Sequence, residues 1–504
     1  MDIAGGLLVG FQNLFHLDVI FYCFVGVFIG TLIGVLPGIG PVGAMSILLP
    51  STFGISSTAS VVMLAGIYYG AMYGGSTTSI LVNIPGEAAS IITCLDGNQM
   101  AKKGKAGPAL GISAMGSFIG GTLAIVGLMF LVFPLAATAV KFGPAEFFSL
   151  MLLAMTLLTY LSAGSVLSSI IMIFLGLIVG SVGMDPITAI PRFSFGSTTL
   201  LDGFGLVPVV MGLFGISEVL TNVMNPEERV FFEAKIKHLF PNLADWKRSI
   251  GPILRGSVIG FFLGILPGGG AVVSSFASYT TERKLSKHPE EFGQGAIEGV
   301  AGPETANNAA AGGAFVPMLA LGIPPNPLMA LLLGALIIHG ITPGPLLMAQ
   351  HPDVFWGVIA SMYMGNVMLL ILNLPLIGIW IKVLKVPYRM LMPLILLCCL
   401  IGSYATACNS TDIIIMVAFG VIGYILRKNG YELAPFVLAM VLGPLLETNF
   451  RNALIIADGS FMIFLIKPIS ATLLSIATLL LISTGFSSYR KTKTKIIEEA
   501  GTGD

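Results

Sequence analysis

Charge is scarce in this sequence. Only 10% of its 504 residues are Asp, Glu, Lys or Arg, and 25 of each sign leave no net charge, so there is no basic footprint for nucleic acid. Five histidines (His16, His238, His288, His339, His351) are scattered without metal-ligand spacing, and His339 reads as a packing residue. The five cysteines (Cys23, Cys94, Cys398, Cys399, Cys408) lie in or beside apolar segments with no paired C-x-x-C spacing. They read as small core residues, not as metal or redox groups. A phosphate loop is missing, since Lys105 is followed by Ala106, which argues against ATP hydrolysis. No nucleophile–base pair stands out, so the expectation is a protein that is not an enzyme and carries no metal or cofactor. The N-terminus, Met-Asp-Ile-Ala-Gly-Gly, lacks the basic n-region of a cleaved signal peptide, so the first apolar segment is expected to direct insertion.

What fills the sequence instead is apolar. With 55% hydrophobic residues and a mean hydropathy of +0.93, it reads as an all-α polytopic membrane protein. Val19–Leu36, Pro108–Val132, Ala145–Leu161, Val166–Val182, Val354–Leu376, Met390–Gly402, Ile413–Leu426 and Phe461–Ser483 are mostly near the about 17–25 residues a membrane helix needs. Roughly ten to twelve spans, some of them broken or re-entrant, are expected.

Two polar stretches interrupt this background. Tyr73–Ser90, Tyr-Gly-Gly-Ser-Thr-Thr-Ser-Ile-Leu-Val-Asn-Ile-Pro-Gly-Glu-Ala-Ala-Ser, gathers hydroxyls, an amide, a carboxylate and two helix-breaking Gly or Pro steps. Glu298–Gly313, Glu-Gly-Val-Ala-Gly-Pro-Glu-Thr-Ala-Asn-Asn-Ala-Ala-Ala-Gly-Gly, repeats that mixture of carboxylate, hydroxyl, amide and small residues. At membrane depth such groups are tolerated only where they face protein or a water-filled cavity. The same residue types also suit helix packing and hydroxyl bonding to the helix's own carbonyls.

The sequence also echoes itself. Gly34-Val-Leu-Pro-Gly-Ile-Gly40 returns 230 residues later as Gly264-Ile-Leu-Pro-Gly-Gly-Gly270. Ile84-Pro85-Gly86 is answered in order by Ile323-Pro324-Pro325, Met115-Gly116 by Met364-Gly365, Phe133-Pro134-Leu135 by Leu374-Pro375-Leu376, and Pro208 with Glu218 by Pro435 with Glu447. Short cytoplasmic loops carry excess Lys and Arg. Placing Lys102–Lys105 and Arg490–Lys493 inside leaves only Lys141, Arg192, Arg451 and Lys467, of 25 such residues, outside or near the outer interface. The C-terminus is then cytoplasmic and the two halves point in opposite directions, provided that Arg255–Tyr279 doubles back at Leu-Pro-Gly-Gly-Gly. The expected organisation is a first inverted repeat over 1–222, a cytoplasmic linker at 223–251, a second repeat over 252–456, and an extra span and tail at 457–504. Inverted repeats with discontinuous helices are a recurring plan of secondary transporters, with the site near the midplane.

These motifs, over about Phe15 to Phe486, resemble the large membrane subunit of the tripartite tricarboxylate transporters. The resemblance implies a multi-pass subunit of the bacterial inner membrane, paired with a small membrane subunit and fed by a periplasmic solute-binding protein. It implies uptake of citrate or another carboxylate, driven by a gradient of Na+ or H+, and a distant likeness to elevator-type transporters. The hairpin tips would then lie near Pro37–Gly40 and Pro267–Gly270, or at the two polar stretches. Candidate substrate-binding residues are Gly38, Gly40, Gly74, Gly75, Ser76, Thr77, Thr78, Asn83, Pro85, Gly268, Gly269, Gly270, Thr305, Asn307, Asn308, Pro324 and Asn326. Glu87 and Glu304 are the candidates for cation coupling, because ionisable groups at membrane depth are costly and functional. The alternatives are a standalone carboxylate exchanger and a channel-like protein.

Overall fold

In the computed structural model the described residues are 3–36, 40–161, 165–224, 239–384, 386 and 388–483. Gly38, most of the charged interval before Leu239 and the basic C-terminal run lie outside them. The principal helices, in chain order, are α1 (Leu17–Val35), α2 (Pro41–Leu48), α3 (Ser57–Val82), α4 (Ile91–Lys102), α5 (Ala106–Ala139), α6 (Pro144–Leu161), α7 (Val166–Gly180), α8 (Leu243–Ile265), α9 (Gly270–Leu285), α10 (Glu298–Gly313), α11 (Pro352–Asn373) and α12 (Ala434–Ile456). Seven helices among the described residues are long and apolar enough to cross a membrane: α1, α5, α6, Leu206–Met224, α8, α11 and Ser410–Lys428. Five shorter apolar helices accompany them. The protein is thus an all-α polytopic membrane protein.

The helices leading into the two Leu-Pro-Gly motifs end at corresponding positions, Val35 and Ile265. α1 stops at Val35, Leu36 turns to extended backbone (ψ 101), and α2 restarts at Pro41 behind Gly40, whose φ is +66. α8 stops at Ile265, Leu266 is likewise extended (ψ 129), and α9 restarts at Gly270, whose φ is +39. Both restarts need a left-handed residue, which glycine adopts without a Cβ clash. The second turn reverses the chain, because Arg255 of α8 pairs with Glu282 of α9 across the hairpin. α8 begins at Leu243, inside the interval expected to be linker.

Each turn follows a helix seated on a partner through a glycine stripe. A Cβ on Gly26, Gly30 or Gly34 of α1 would lie 2.2, 2.6 or 2.3 Å from the carbonyl oxygens of Met63, Ile67 and Ala71 on α3. On Gly256, Gly260 or Gly264 of α8 it would lie 2.5, 2.2 or 2.3 Å from those of Gly302, Ala306 and Ala310 on α10. The two triplets are offset by the same 230 residues as the turns. Lipid gives apolar surfaces little reason to associate, so helices there are held by close backbone approach, and the stripes supply it.

Two expectations are corrected. The Gly74-Gly75 step does not break its helix: α3 runs without interruption from Ser57 to Val82. Gly74 faces the Thr31 carbonyl of α1, where a Cβ would sit 2.4 Å away. Ser76 and Ser79 donate back to Tyr73 and Gly75 carbonyls of their own helix. The break comes later, at Asn83, a left-handed C-cap (φ +61) followed by Pro85. The segment Phe461–Ser483 is not one helix either, because Ile463–Ile466 ends at Lys467 and a new helix begins at Pro468, which lacks the N–H needed to continue the first.

By contacts the chain falls into two units. The first comprises Met1–Val140, Leu206–Leu266 and Gly270–Tyr424; the second comprises Lys141–Gly205, Pro267–Gly269 and Ile425–Asp504. In the second, α7 meets α12 through Gly176 and Gly180, set against the Phe436 and Met440 carbonyls. A small antiparallel pair, β1 (Gly183–Met184) and β2 (Pro191–Arg192), follows α7.

Candidate functional site

The site begins where α3 gives way to α4. After Asn83 and Pro85, Glu87 caps a short turn: its Oε2 accepts from the Ala89 N–H at 2.6 Å, and the Ser90 hydroxyl donates to the Glu87 carbonyl at 2.8 Å. Gly86 allows this path, since a Cβ there would overlap the Gly34 carbonyl. The turn leaves Glu87 Oε1 pointing at α10, where Asn307 Nδ2 donates to it at 3.0 Å. Glu304, one helical turn earlier, accepts from the Thr93 hydroxyl of α4. On the same face of α10, Asn308 Nδ2 donates to Ser117 Oγ of α5 at 2.7 Å and to the Glu304 carbonyl at 3.0 Å. The two polar stretches therefore meet, with α4 and α5 closing the cluster. Glu87 is 8% exposed, Glu304 and Asn307 1%, and Asn308 4%.

The chemistry of this cluster is one-sided. No Lys, Arg or His occurs from Tyr73 to Ala101 or from Glu298 to Ile338. Among the described residues, Glu304 Oε2, Asn307 Oδ1, Asn308 Oδ1 and the nearby Asn98 Oδ1 are buried acceptors without a donor. Buried polar atoms are ordinarily satisfied, and a carboxylate out of water needs an opposite charge or a proton. The arrangement can therefore hold a small hard cation or exchange a proton.

The other sequence candidates are distributed as follows. Gly75 backs onto Glu87, its Cβ position 2.8 Å from Glu87 Cγ. Thr78 donates to the Val35 carbonyl at 2.8 Å, tying α3 to the last residue of α1, while Thr77 is buried. Thr305 donates to Ala301 within its own helix and packs on Gly116 and Gly120 of α5. Asn83 is exposed and Pro85 half-buried. Asn326 caps helix Pro327–Ile338 through Met329 N and donates to the Tyr68 hydroxyl at 3.1 Å. Pro324 is buried in the preceding turn. Gly40 and Gly270 open the helices α2 and α9 with no atom within 4 Å of a Cβ position. Gly268 and Gly269 belong to the second unit, where Gly268 packs on Leu158, and Gly38 falls outside the described residues.

Several contributors were not singled out from the sequence: Thr93, Asn98, Ser117 and Asp96. Asp96 is fully buried; its Oδ1 accepts from the N–H groups of Gly293, Gly295 and Ala296 at 2.7–2.9 Å, and its Oδ2 from the Tyr279 hydroxyl at 2.9 Å. Thr93 and Asp96 are three apart on α4, a polar pair on one helix face that periodicity could have revealed. Nearby, Arg248 binds Glu291 at 2.5 Å and Glu298 at 2.7 Å, and its guanidinium holds the Glu291 carboxyl below the usual range. A cavity of about 280 Å³ is lined there by Arg248, Arg255, Glu282, Lys287, His288 and Glu298.

Comparison with known proteins fits this picture. The chain matches the tripartite tricarboxylate transporter TctA family over residues 20–438. It is 48% identical over 499 residues, 99% of each chain, to an uncharacterized 52.8 kDa protein in the TAR-I ttuC' 3' region of Agrobacterium vitis. It is also 51% identical, over 48% of this chain and 99% of the relative, to an uncharacterized protein in the TAR-II ttuC' 3' region of that organism. No solved structure matches it. A match of this extent, on a polytopic chain whose two polar stretches converge on one buried site, means that the chain belongs to the tripartite tricarboxylate transporter TctA family, whose members are tricarboxylate-transporter components.

Proposed function

We propose that this chain is the large permease subunit of a binding-protein-dependent secondary transporter, taking up tricarboxylates or related carboxylates across the bacterial inner membrane. A small membrane subunit and a periplasmic solute-binding protein are its partners in this reading, and a cation gradient, Na+ or H+, drives uptake. The observation that carries the coupling is the buried cluster itself: Glu87 and Glu304 with unpartnered oxygens around them and no basic side chain in either stretch. A cation or proton entering the cluster would neutralise it and supply the missing donor or charge. Substrate carboxylates would take N–H groups and Ser, Thr and Asn side chains of the two polar stretches, and N–H groups at the helix starts at Gly40 and Gly270. The matched glycine stripes support an internal duplication. That each compact unit draws on both halves of the sequence supports an inverted-repeat, elevator-type cycle.

The test is uptake of a labelled carboxylate by the complete transporter in proteoliposomes. Glu304→Gln and Glu87→Gln should abolish the dependence of uptake on an imposed Na+ or pH gradient. Alanine at Ser76, Thr77, Asn83, Asn307 and Asn308, one at a time, tests the walls. Full activity in all five, or an unsubstituted transporter indifferent to both gradients, would sink the proposal.

A further inference from the structure

Helix α7 is too short for a bilayer. Its 15 residues rise about 22 Å at 1.5 Å each, against a hydrocarbon core of about 30 Å. Its exposed side chains are nonetheless those of a lipid-facing helix: Leu167, Ile171, Phe174, Leu175 and Ile178 recur at helical spacing. A short helix leaves apolar thickness uncovered unless the bilayer thins or neighbouring residues extend the apolar surface.

The loop after α7 extends it. Met184, Ile187, Ile190, Phe193 and Phe195 are exposed, Phe195 by 90%. An aqueous loop has no reason to display five large apolar side chains in twelve positions. The loop's charges are meanwhile consumed internally. Asp185 and Arg192 are the only charged residues between Val182 and Ser197. Arg192 bonds both carboxylate oxygens of Glu447 at 2.8 and 3.0 Å, while Arg451 bonds Asp185 at 2.6 Å and Glu447 at 3.1 Å. Asp185 also accepts from Ile187 N and Thr188 N at 2.8 and 2.9 Å, which fixes the turn. Ala189, Phe193 and Phe195 all take left-handed backbone (φ +54, +52 and +48). An isolated two-stranded hairpin is marginal in water, so this ion-pair network is what holds the loop in shape.

We propose that the loop Asp185–Ser197 is an interfacial membrane anchor. It places Ile190, Phe193 and Phe195 at the boundary between headgroups and acyl chains and completes the lipid-facing surface that α7 begins. Apolar side chains seat there at a depth of about 5–10 Å, and paired charges tolerate the position. That the loop's exposed apolar residues follow directly in sequence on the exposed apolar side chains of α7 favours lipid over a protein partner. The proposal requires only that the chain spans a membrane, not that it transports carboxylates.

The test is fluorescence of the Phe195→Trp variant of the full chain in phosphatidylcholine vesicles, read as the difference from the unsubstituted protein. Lipids brominated near the top of the acyl chains should quench the added emission strongly, as a ring seated at the interface requires, and aqueous iodide should remove little. Added emission that ignores these lipids and is quenched by iodide overturns the proposal and leaves the loop open to a soluble partner. Quenching only by bromines at the chain ends also overturns it, because the ring would then lie too deep. Should Phe195→Trp fail to reconstitute, Ile190→Trp is read by the same criteria.

Discussion

At the scale of the residue, glycine and carboxylate do opposite work in this protein. Gly34 and Gly264 let a carbonyl oxygen come to within 2.3 Å of where a Cβ would be, so Gly34→Ala and Gly264→Ala must push two helices apart. Overpacking of this kind costs about 1–3 kcal/mol. Each variant should therefore unfold at a lower temperature in detergent, whereas Gly378→Ala, at a helical position with no atom within 4 Å, should leave the midpoint unchanged or slightly raised. Equal midpoints for all three would show that the stripes carry no weight. Thr93 makes the complementary case: Thr93→Val leaves Glu304 without the hydroxyl it accepts from, and a buried acceptor stripped of its donor costs about 1–3 kcal/mol. Thr93→Ser, which keeps the hydroxyl, should recover most of the lost stability in the same unfolding assay.

Among elements, α4 acts as a strut. Through Thr93 it reaches Glu304, through Asp96 it gathers the backbone of residues 293–296 just before α10, and through Asn98 it reaches the Ile80 carbonyl of α3. Asp96→Ala removes four hydrogen bonds at once, and backbone amide exchange at Gly293, Gly295 and Ala296 should accelerate, whereas Tyr279→Phe, which loses one, should change them little. A different element answers to pH. Hydrogen bonds from Thr188 N–H and Arg451 hold the Asp185 carboxyl well below the usual carboxylate range. The stability it contributes is therefore fully present above about pH 4 and is lost as the pH falls towards the folded value. Asp185→Asn should lower the unfolding midpoint at neutral pH, with the gap to the unsubstituted protein closing only in strong acid; a gap independent of pH would mean that the charge is not what matters. Elements were legible where the signal was local. The helix ends at Leu36 and Leu266 could be read from Pro and Gly alone, but the continuous α3 could not, because whether Gly-Gly breaks a helix depends on the neighbour that fills the space. The break at Pro468 was masked by the apolar residues on both sides of it.

At the scale of the whole molecule, the sequence's class and its two polar walls were legible, because scarce charge at membrane depth leaves few places for function. What was not legible was which atoms meet. Spacing presented Asn83, Asn307 and Asn326 alike, whereas their contacts differ: Asn83 is an exposed helix cap, Asn307 donates to Glu87 and Asn326 donates to Tyr68. The topology read from Lys and Arg makes its own prediction. In a Cys408→Ser background, Lys103→Cys should react with a membrane-impermeant maleimide only after the cells are opened, and Lys141→Cys should react in intact cells. The reverse pattern would invert the assignment. The glycine stripes also bear on how such a chain can change over time. Where two backbones touch, no larger side chain is admitted, so drift after a gene duplication is blocked at those positions while it proceeds freely elsewhere. Gly26, Gly30 and Gly34, and with them Gly256, Gly260 and Gly264, should then be among the slowest positions to change, and if the two halves share an ancestor their register would be kept at these glycines.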